Sequence, residues 1–472
     1  MKLNRKEFLG LGASSLFLGS ALSRIGNLEA VTTLSNKLLV NILLEGGPDF
    51  RHLIVPKPNS TKGSYEYEFW NARVSSILKG TAADNFNSWQ SAYTANYEEI
   101  TLSGKTFGVL KTANGRANAN GWLISMIKAG KVAIVNNVQF SKTRDHSQSL
   151  LVLQSGSYTT ASGQANNDGW GGRLISTIGA GRLVSFSSAI RPFCNTANKQ
   201  YVLTFNNSRD FGLKQPSSSI TVEDRNMRAL KSYYQARDFS ALPVHKKFQD
   251  QYTKVQALSQ GVQSALTQTT NATQLASQYP TDVANLFSGN NRLDNQNFAN
   301  QIRCLYDALN VNSVLDMRIA SLNYGGWDSH KNQVVDIEPQ FDDLFGSKKS
   351  LNLIYDNISN PGNVAFVISG EFGRQLKSNG DAGTDHGRGN SVLIIGGNVV
   401  GGLYGELFPT TETSLFKEGG KDIEGLTAFG FVLGRLCNWM SAGSGATIFT
   451  GTDNTTKVES SAVQTQLNSL IS

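Results

Sequence analysis

Short runs of apolar, β-branched residues recur along the chain, and most of them are continuous rather than alternating with polar residues. A strand with an uninterrupted apolar sequence is buried on both faces, which is typical of a mostly parallel sheet covered by helices. Seven runs predict strands, at residues 37–47, 131–139, 182–188, 318–326, 363–372, 391–397 and 446–451.

Segments of helical length separate several of these runs. Residues 121–130 and 423–440 place apolar side chains three and four positions apart, which predicts amphipathic helices. The alternation of strands and helices predicts an α/β sandwich. Residues 222–310 differ, because they are polar, rich in Gln and Ser, and contain no strand-like run. We interpret them as a helical insertion that caps the sheet edge or lies over a site.

The N-terminal residues 1–30 have a basic start, a short apolar run and a region of small residues, which predicts an export signal. The stretch "NRKEFLGLG" resembles a twin-arginine signal with Lys6 in the place of the second arginine, so ordinary secretion stays an alternative. The remaining residues, 31–472, would form the exported domain, in the periplasm or elsewhere in a bacterial envelope. No later apolar stretch reaches about 18 residues, so no transmembrane segment is predicted.

Charge and cysteine content narrow the range of partners. The formal charge is +7, but no dense Lys/Arg run is present, so a nucleic-acid partner is not predicted. The three cysteines, Cys194, Cys304 and Cys437, lack the close spacing of a zinc–thiolate site. One disulfide is compatible with an oxidising compartment, and the sequence leaves the pair open.

Polar residues follow several of the predicted strands, where open α/β sheets bind their ligands. Three of the five histidines lie within two residues of an aspartate in these positions. The residues that follow strands are Asp49, Asp145, His146, Ser147, Ser149, Asp328, His330, Glu371, Arg374, Asp385, His386 and Arg388.

Five of these residues form a candidate metal-ligand set. Carboxylate and imidazole are the groups that zinc, manganese and similar divalent ions accept, and adjacent glycines let the backbone approach an ion closely. The set predicts one or two divalent ions, with zinc preferred and manganese or calcium as alternatives; independent structural roles are the competing interpretation. The predicted ligands are Asp49, Asp328, His330, Asp385 and His386.

The same motifs carry a family resemblance that covers residues 37–450. The segments "EGGPDF", "RDHSQS", "GWDSH", "SGEFGR" and "GTDHGRGNSVLIIGG" resemble the alkaline phosphatase and sulfatase superfamily. Within it, they are similar to a bacterial family of exported, sulfatase-like proteins of unknown function. The resemblance implies a three-layer α/β/α sandwich with a divalent-metal centre. It places Asp49, Asp385 and His386 in one metal site and Asp328 and His330 in a second.

The resemblance also implies a nucleophile at the helix start after the second strand. Ser147 occupies that position, with Ser149 and Thr143 as alternatives. A helix N-terminus stabilises an alkoxide and a bound phosphate or sulfate.

The chain departs from the superfamily in one ligand, because it has no histidine after His386. His146 would take the place of the missing metal ligand, or the second ion would be absent. Arg374 or Arg388 would bind a tetrahedral anion through two parallel hydrogen bonds.

These observations predict an exported, metal-dependent hydrolase of phosphate or sulfate esters that acts on a small anionic ester. The alternative is a catalytically degenerate member of the family that binds an envelope component or has a structural role. A phosphate-transferring mutase is a third interpretation.

Overall fold

The computed structural model describes residues 34, 36–78, 85–159, 168–187, 190–198, 201–205, 232–233, 237–246, 249–250, 253 and 279–472. The predicted export signal, residues 1–30, lies outside them, as does most of the predicted insertion before residue 279. None of the helices in these ranges is long and apolar enough to cross a bilayer.

The strands occupy most of the positions that the apolar runs predict. In chain order they are β1 (Leu38–Glu45), β2 (Ile54–Pro56), β3 (Tyr97–Leu102), β4 (Lys105–Leu110), β5 (Thr112–Ala113), β6 (Arg116–Ala117), β7 (Val132–Gln139), β8 (Arg182–Ser185), β9 (Val202–Thr204), β10 (Met317–Gly325), β11 (Val364–Gly370), β12 (Gly389–Gly396), β13 (Gly402–Tyr404) and β14 (Thr427–Ala428).

A large, mostly parallel sheet forms the centre of the molecule. Across the described residues it has nine strands, in the spatial order β13–β7–β12–β11–β1–β10–β8–β9, with β14 also paired to β7. Only β12 runs antiparallel to its neighbours, β11 and β7. The prediction of a mixed α/β protein with a mostly parallel sheet is therefore confirmed.

Both faces of this sheet are buried, as the continuous apolar runs predict. In β1, Val40 and Ile42 pack into one hydrophobic core, while Leu39 and Leu43 pack into a second core. The same alternation occurs along β11 and β12. Because successive side chains of a strand point to opposite faces, the two cores lie on the two sides of the sheet.

Helices contribute to both cores. The first core includes α2, α3, α4, α8, α10 and α11, and the second includes α5, α6, α12 and α15. In chain order the helices are α1 (Phe50–Leu53), α2 (Tyr65–Leu78), α3 (Phe86–Asn96), α4 (Gly121–Lys128), α5 (His146–Ser155), α6 (Trp170–Ile178), α7 (Thr281–Asn285), α8 (Gln296–Asn310), α9 (Asn312–Leu315), α10 (Gln333–Phe345), α11 (Ser350–Asp356), α12 (Phe429–Met440), α13 (Ser444–Ile448), α14 (Thr452–Thr456) and α15 (Ser461–Asn468).

Two predicted elements near the C-terminus differ in the structure. The predicted strand 446–451 is wrong, because residues Ser444–Ile448 form the short helix α13. Ile448 is buried in the second core, and so short an apolar run does not distinguish a strand from a helical turn. The predicted helix 423–440 begins only at Phe429, after β14.

No disulfide joins the cysteines, all three of which the structure describes. Cys194, Cys304 and Cys437 are each buried as thiols. Cys194 and Cys437 lie in the second core and Cys304 lies in the first, so they serve as small apolar side chains.

The described end of the predicted insertion is helical and packs on the sheet. It contains α7 and α8, and α8 contributes buried side chains to the first core. The amide of Gln301 on α8 bonds both to the carbonyl and to the N–H of Asn323 in β10, at 2.7 and 2.9 Å. This pair fixes α8 against the sheet close to the end of β10.

Candidate metal centre

Four loops meet at one edge of the central sheet. The loops after β1, β7, β10 and β11 leave the carboxyl ends of parallel strands, so they emerge at the same edge. The strand β12 is antiparallel, and it therefore begins at this edge, directly after residues 385–388. The topology alone thus brings together the segments that carry most of the predicted ligands.

A cluster of three imidazoles surrounds the carboxylate of Asp328. Its Oδ1 lies 2.9 Å from His386 Nε2 and 3.0 Å from His330 Nε2, and its Oδ2 lies 3.4 Å from His146 Nε2. The Nε2 atoms of His330 and His386 are 2.9 Å apart. We call these four residues the histidine cluster.

These separations are close to those of metal ligands. With bonds of about 2.0–2.1 Å at tetrahedral angles, the donor atoms around zinc lie roughly 3.3 Å apart. One ligand atom from each of His146, Asp328 and His386 lies within 4.8 Å of the other two. The histidine cluster therefore has the donor types and the spacing that a divalent ion requires.

The outer ring nitrogens strengthen this interpretation. Each imidazole directs Nε2 toward Asp328 and bonds through Nδ1 to an acceptor outside the cluster. When Nδ1 carries the proton, the Nε2 lone pair faces inward, which is the arrangement that orients histidine ligands in metalloproteins. The three outer contacts, each 2.9 Å long, are His146 with Glu371 Oε1, His330 with Asp385 Oδ1 and His386 with the Arg144 carbonyl oxygen.

The outer partners include a residue that was predicted as a ligand. Asp385 contacts the outer nitrogen of His330 and accepts a second hydrogen bond, of 3.1 Å, from the Asn379 amide. This Asn379 bond and the contact with His330 lower the pKa of Asp385. Its observed contacts are those of a carboxylate that orients the His330 ring.

Glu371 has the equivalent position behind His146 and is fully buried. Its Oε1 also accepts a hydrogen bond of 2.8 Å from the Gly46 N–H. The hydrogen bond to Glu371 raises the pKa of His146. Glu371 therefore joins the loops after β1, β7 and β11 through one carboxyl group.

The charge states of Asp328 and His386 suit metal binding, which needs an ionised carboxylate and neutral imidazoles. Burial acts to raise the pKa of Asp328, but hydrogen bonds from His386 and Arg374 outweigh it and lower the pKa to about 2. Burial lowers the pKa of His386. At neutral pH the first group is charged and the second is neutral.

Arg374 holds the loops of the site together. It is 1 % exposed and donates to the carbonyl oxygens of Gly47, Thr384 and Trp327 at 2.7, 2.9 and 2.9 Å. It also donates to Asp328 Oδ1 at 2.8 Å. This guanidinium is buried, and each of its three nitrogens donates to a protein oxygen. The prediction that Arg374 binds a tetrahedral anion needs two free, parallel N–H donors, and the structure does not offer them.

Close backbone contacts explain two of the glycines in these loops. Gly46 has a φ of +119°, and a Cβ there would lie 2.4 Å from the Asp328 nitrogen. A Cβ on Gly383 would lie 2.2 Å from the carbonyl carbon of His330. Any larger residue would displace the loop that carries Asp328 and His330.

Asp49 lies in a separate, buried network. Its carboxylate forms an ion pair with Arg73 and accepts a hydrogen bond of 2.9 Å from Gln333 Nε2. Burial acts to raise the pKa of Asp49, but the positive charge of Arg73 outweighs it and lowers the pKa. The predicted ligand Asp49 is thus paired with a guanidinium and is not among the residues that surround Asp328.

Two further residues complete what we call the buried network: Asp49, Arg73, Gln333, His52 and Glu338. His52 is fully buried, with Nε2 2.9 Å from Glu338 Oε1 and Nδ1 3.3 Å from Gln333 Nε2. The side-chain oxygen Oε1 of Gln333 accepts a hydrogen bond from the hydroxyl of Thr384 at 2.8 Å. Gln333 therefore connects the buried network to the loop that precedes Asp385.

The three candidate nucleophiles differ in their environments. Ser147 is exposed in the first turn of α5, one residue after His146, and its hydroxyl has no hydrogen-bond partner among the described residues. Ser149 is buried, and its hydroxyl donates to Ser141 Oγ at 2.9 Å. The Thr143 hydroxyl accepts from the Asp145 N–H at 2.8 Å. Of the three, Ser147 alone combines exposure with adjacency to the histidine cluster.

Arg388 and Arg144 lie beside the cluster and share one carboxylate. Arg388 donates to Asp422 through Nε at 3.2 Å and Nη2 at 3.0 Å, so two of its donors are occupied by protein. Arg144 Nη2 donates to the same carboxylate at 2.9 Å. Sequence reasoning missed Arg144, because its contact with His386 is made by a main-chain oxygen that no side-chain motif reports.

Residues 36–414 match the family model described as "Protein of unknown function (DUF1501)". The chain belongs to this family. No curated protein and no solved structure matches the chain. The DUF1501 match spans all four loops at this edge of the sheet, and it carries no statement of function.

Proposed function

We propose that this DUF1501 protein is a metal-dependent hydrolase of phosphate or sulfate esters. The observation that carries the proposal is the common orientation of three imidazoles, each with Nε2 toward Asp328 and Nδ1 on an outer acceptor. A histidine in a purely structural role needs no shared centre for its inner nitrogen. Three of them around one carboxylate form a donor set for a cation.

The donor chemistry favours zinc. Imidazole nitrogens with one carboxylate suit zinc and related transition metals, whereas calcium takes six to eight oxygen ligands. Of the ions considered from the sequence, manganese is therefore second and calcium is disfavoured. We assign one ion to the histidine cluster, because Asp49, which a second site would need, is paired with Arg73.

We assign the ligands to His146, Asp328 and His386, whose ligand atoms all lie within 4.8 Å of one another. Three protein ligands leave a coordination position for a substrate, as in catalytic zinc sites. An ion held there supplies Lewis-acid polarisation of an ester oxygen. His330, oriented by Asp385, then holds or moves a proton at Nε2, next to the ligand atoms.

Ser147 is the candidate nucleophile. It lies in the first turn of the ten-residue helix α5, whose N-terminal N–H groups favour a bound anion. Its neighbour His146 belongs to the ligand set, so the hydroxyl is next in sequence to the centre. Ser147→Ala is expected to abolish any covalent phosphoryl or sulfuryl intermediate without loss of the ion.

The test combines metal analysis with activity assays on His386→Ala and His330→Ala. His386→Ala should lose both the ion and the hydrolysis of aryl phosphates or sulfates. His330→Ala should keep the ion and lose about 10²–10⁴-fold in kcat, which is the usual contribution of a positioned acid or base. Absence of metal from the zinc-treated, unsubstituted protein would overturn the proposal.

A binding or structural role for the site is the second candidate. It is favoured by one observation: His330 Nε2 also lies within 3.0 Å of both His386 Nε2 and Asp328 Oδ1, close enough to complete a closed four-ligand site. Closed sites are structural. Loss of the ion in His330→Ala, together with no turnover in the unsubstituted protein, would support an envelope-binding or structural protein.

We extend the proposal to fold and location on the strength of the sequence. The two-sided burial of the mostly parallel sheet is compatible with a three-layer α/β/α sandwich of the alkaline phosphatase type. The pattern of residues 1–30 supports export to the bacterial periplasm or envelope. Fractionation of cells that produce the full chain, with and without residues 1–30, tests the location.

A further inference from the structure

Two guanidiniums lie beside the histidine cluster and contact one buried carboxylate. The Asp422 side chain is 1 % exposed, and its Oδ1 accepts from Arg144 Nη2 at 2.9 Å and from Arg388 Nη2 at 3.0 Å. Glu424 lies 3.7 Å from Arg388 Nη1. The carboxylates therefore compensate Arg388 more fully than they compensate Arg144.

Arg144 keeps donors that the described protein atoms do not use. Its Nη2 donates to Asp422 and, at 2.9 Å, to the Gly420 carbonyl, while Nε and Nη1 make no hydrogen bond within the described residues. The side chain is 36 % exposed. The buried carboxylate thus fixes one edge of the guanidinium, and the other edge is available to an anion.

The backbone of Arg144 fixes its position relative to the candidate ion. The Arg144 carbonyl accepts from His386 Nδ1, on the side of the imidazole ring opposite to Nε2 and Asp328. The imidazole ring therefore lies between the Arg144 carbonyl oxygen and Asp328, and the described contacts of the guanidinium are with Asp422 and Gly420 rather than with the histidine cluster. An anion on its guanidinium would be a second group of the substrate, and the reacting ester would lie at the cluster.

We propose that Arg144 is a specificity-determining residue that binds a second anionic group of the substrate. This inference rests on the proposed function and narrows it to phosphate or sulfate esters that carry another negative charge several atoms from the reacting group. Asp422 is the positioning residue, because it fixes the guanidinium of Arg144 before the substrate binds.

The test uses two non-hydrolysable probes that differ by one charge: phenylphosphonate and 4-carboxyphenylphosphonate. Binding of each to the zinc-loaded full chain is measured by calorimetry. A charge-assisted hydrogen bond is worth about tenfold in Kd, so the carboxylated probe should bind about tenfold more tightly. Arg144→Gln should abolish this preference, and Arg144→Lys should retain part of it.

Metal content and phenylphosphonate affinity serve as internal controls. Both should be unchanged in Arg144→Gln, because the contact with His386 uses the main-chain carbonyl, which every substitution retains. Lys57→Gln removes one exposed positive charge that is paired with Glu99 elsewhere on the molecule, and it should keep the tenfold preference.

The outcomes separate this inference from the proposed function. No zinc uptake by the unsubstituted protein overturns the proposed function, and this inference with it. Zinc uptake with equal binding of the two probes, or with the same preference in Arg144→Gln, overturns only the role of Arg144. If Lys57→Gln lost the preference for the carboxylated probe to the same extent, the preference would depend on the net charge of the protein. That result would also overturn the role of Arg144.

Discussion

The histidine cluster and the buried network contain the same kinds of residue, carboxylates and imidazoles, yet their environments differ. In the buried network, the side chains of Asp49 and His52 are at most 1 % exposed, and a guanidinium neutralises Asp49. In the histidine cluster, Asp328 and His330 are 43 % and 38 % exposed. The first arrangement is closed to solvent and carries its own counter-charge, whereas the second is open to solvent.

The inner nitrogen of each histidine distinguishes the two regions. Both ring nitrogens of His52 contact protein side chains, one Glu338 and the other Gln333. Neither nitrogen is directed at a carboxylate that other imidazoles also face. His146 and His386 each use one nitrogen for an outer acceptor and direct the other toward Asp328. An Asp–His pair therefore indicates a metal site only when the second nitrogen shares a centre with other donors.

The largest expected effect is a loss of folding stability when the ion pair of the buried network is broken. Arg73→Ala leaves the Asp49 carboxylate buried and unpaired, so the free energy of unfolding should fall by about 3–5 kcal/mol. Urea denaturation measures this loss, and metal content per folded molecule should not change. The matched variant Lys57→Ala breaks an exposed ion pair and should cost at most about 1 kcal/mol. Equal losses of unfolding free energy in Arg73→Ala and Lys57→Ala would contradict the view that the buried network stabilises the fold.

Metal removal is expected to act on the histidine cluster alone. A bound ion at a free concentration of 100 times its Kd stabilises the folded state by about 2.7 kcal/mol, which chelation should remove. Thermal unfolding with and without a chelator measures the change in the unsubstituted protein and in His386→Ala. A chelator that destabilises both proteins equally would place the ion outside the cluster.

The two outer carboxylates should differ in their effects. Glu371→Gln weakens the orientation of the ligand His146 and should raise the metal Kd by about 10–100-fold. Asp385→Asn acts on His330, which we place outside the ligand set, and should lower kcat with an unchanged metal Kd. Competition with a zinc-sensitive dye gives both Kd values. An equal rise in the metal Kd of the two variants would indicate that His330 is also a metal ligand.

The smallest expected effect concerns acid. The folded-state pKa of Asp49 is lowered from its ordinary value of 3.8, because the charge of Arg73 outweighs burial. Its contribution to stability is therefore present above pH 3.8 and is lost as the pH falls through the lowered pKa. In unfolding titrations below pH 4, Asp49→Asn should show a shallower loss of stability than the unsubstituted protein. Parallel curves would contradict this assignment.

Much of the fold could be predicted from the sequence, because two-sided burial imposes a visible pattern. Strands β1, β7, β10 and β11 are continuous apolar runs, and the structure has them where the runs predict. The antiparallel direction of β12 leaves no trace in its composition. The sequence predicts a strand where the structure has the helix α13, since a five-residue segment is too short for periodicity to distinguish the two.

The candidate site was predictable in its residue types and less so in their arrangement. The loop positions of His146, Asp328 and His386 follow from strand order, and these residues do meet. The separation of Asp49 depends on Arg73, a residue of α2 that no motif marks as its partner. The contact of Arg144 with His386 is made by a main-chain carbonyl oxygen. Contacts between distant helices and main-chain atoms leave no local signal in a sequence.

The outer acceptor of His386, the Arg144 carbonyl, lies 242 residues away along the chain. Contacts this distant in sequence form late in folding, because the entropy of closing so long a loop must be overcome before they contribute stability. A nascent chain therefore lacks the cluster until the central sheet is assembled. If the protein is exported and binds the proposed ion, the supply of ions in the compartment where the sheet is completed would decide which metal it carries.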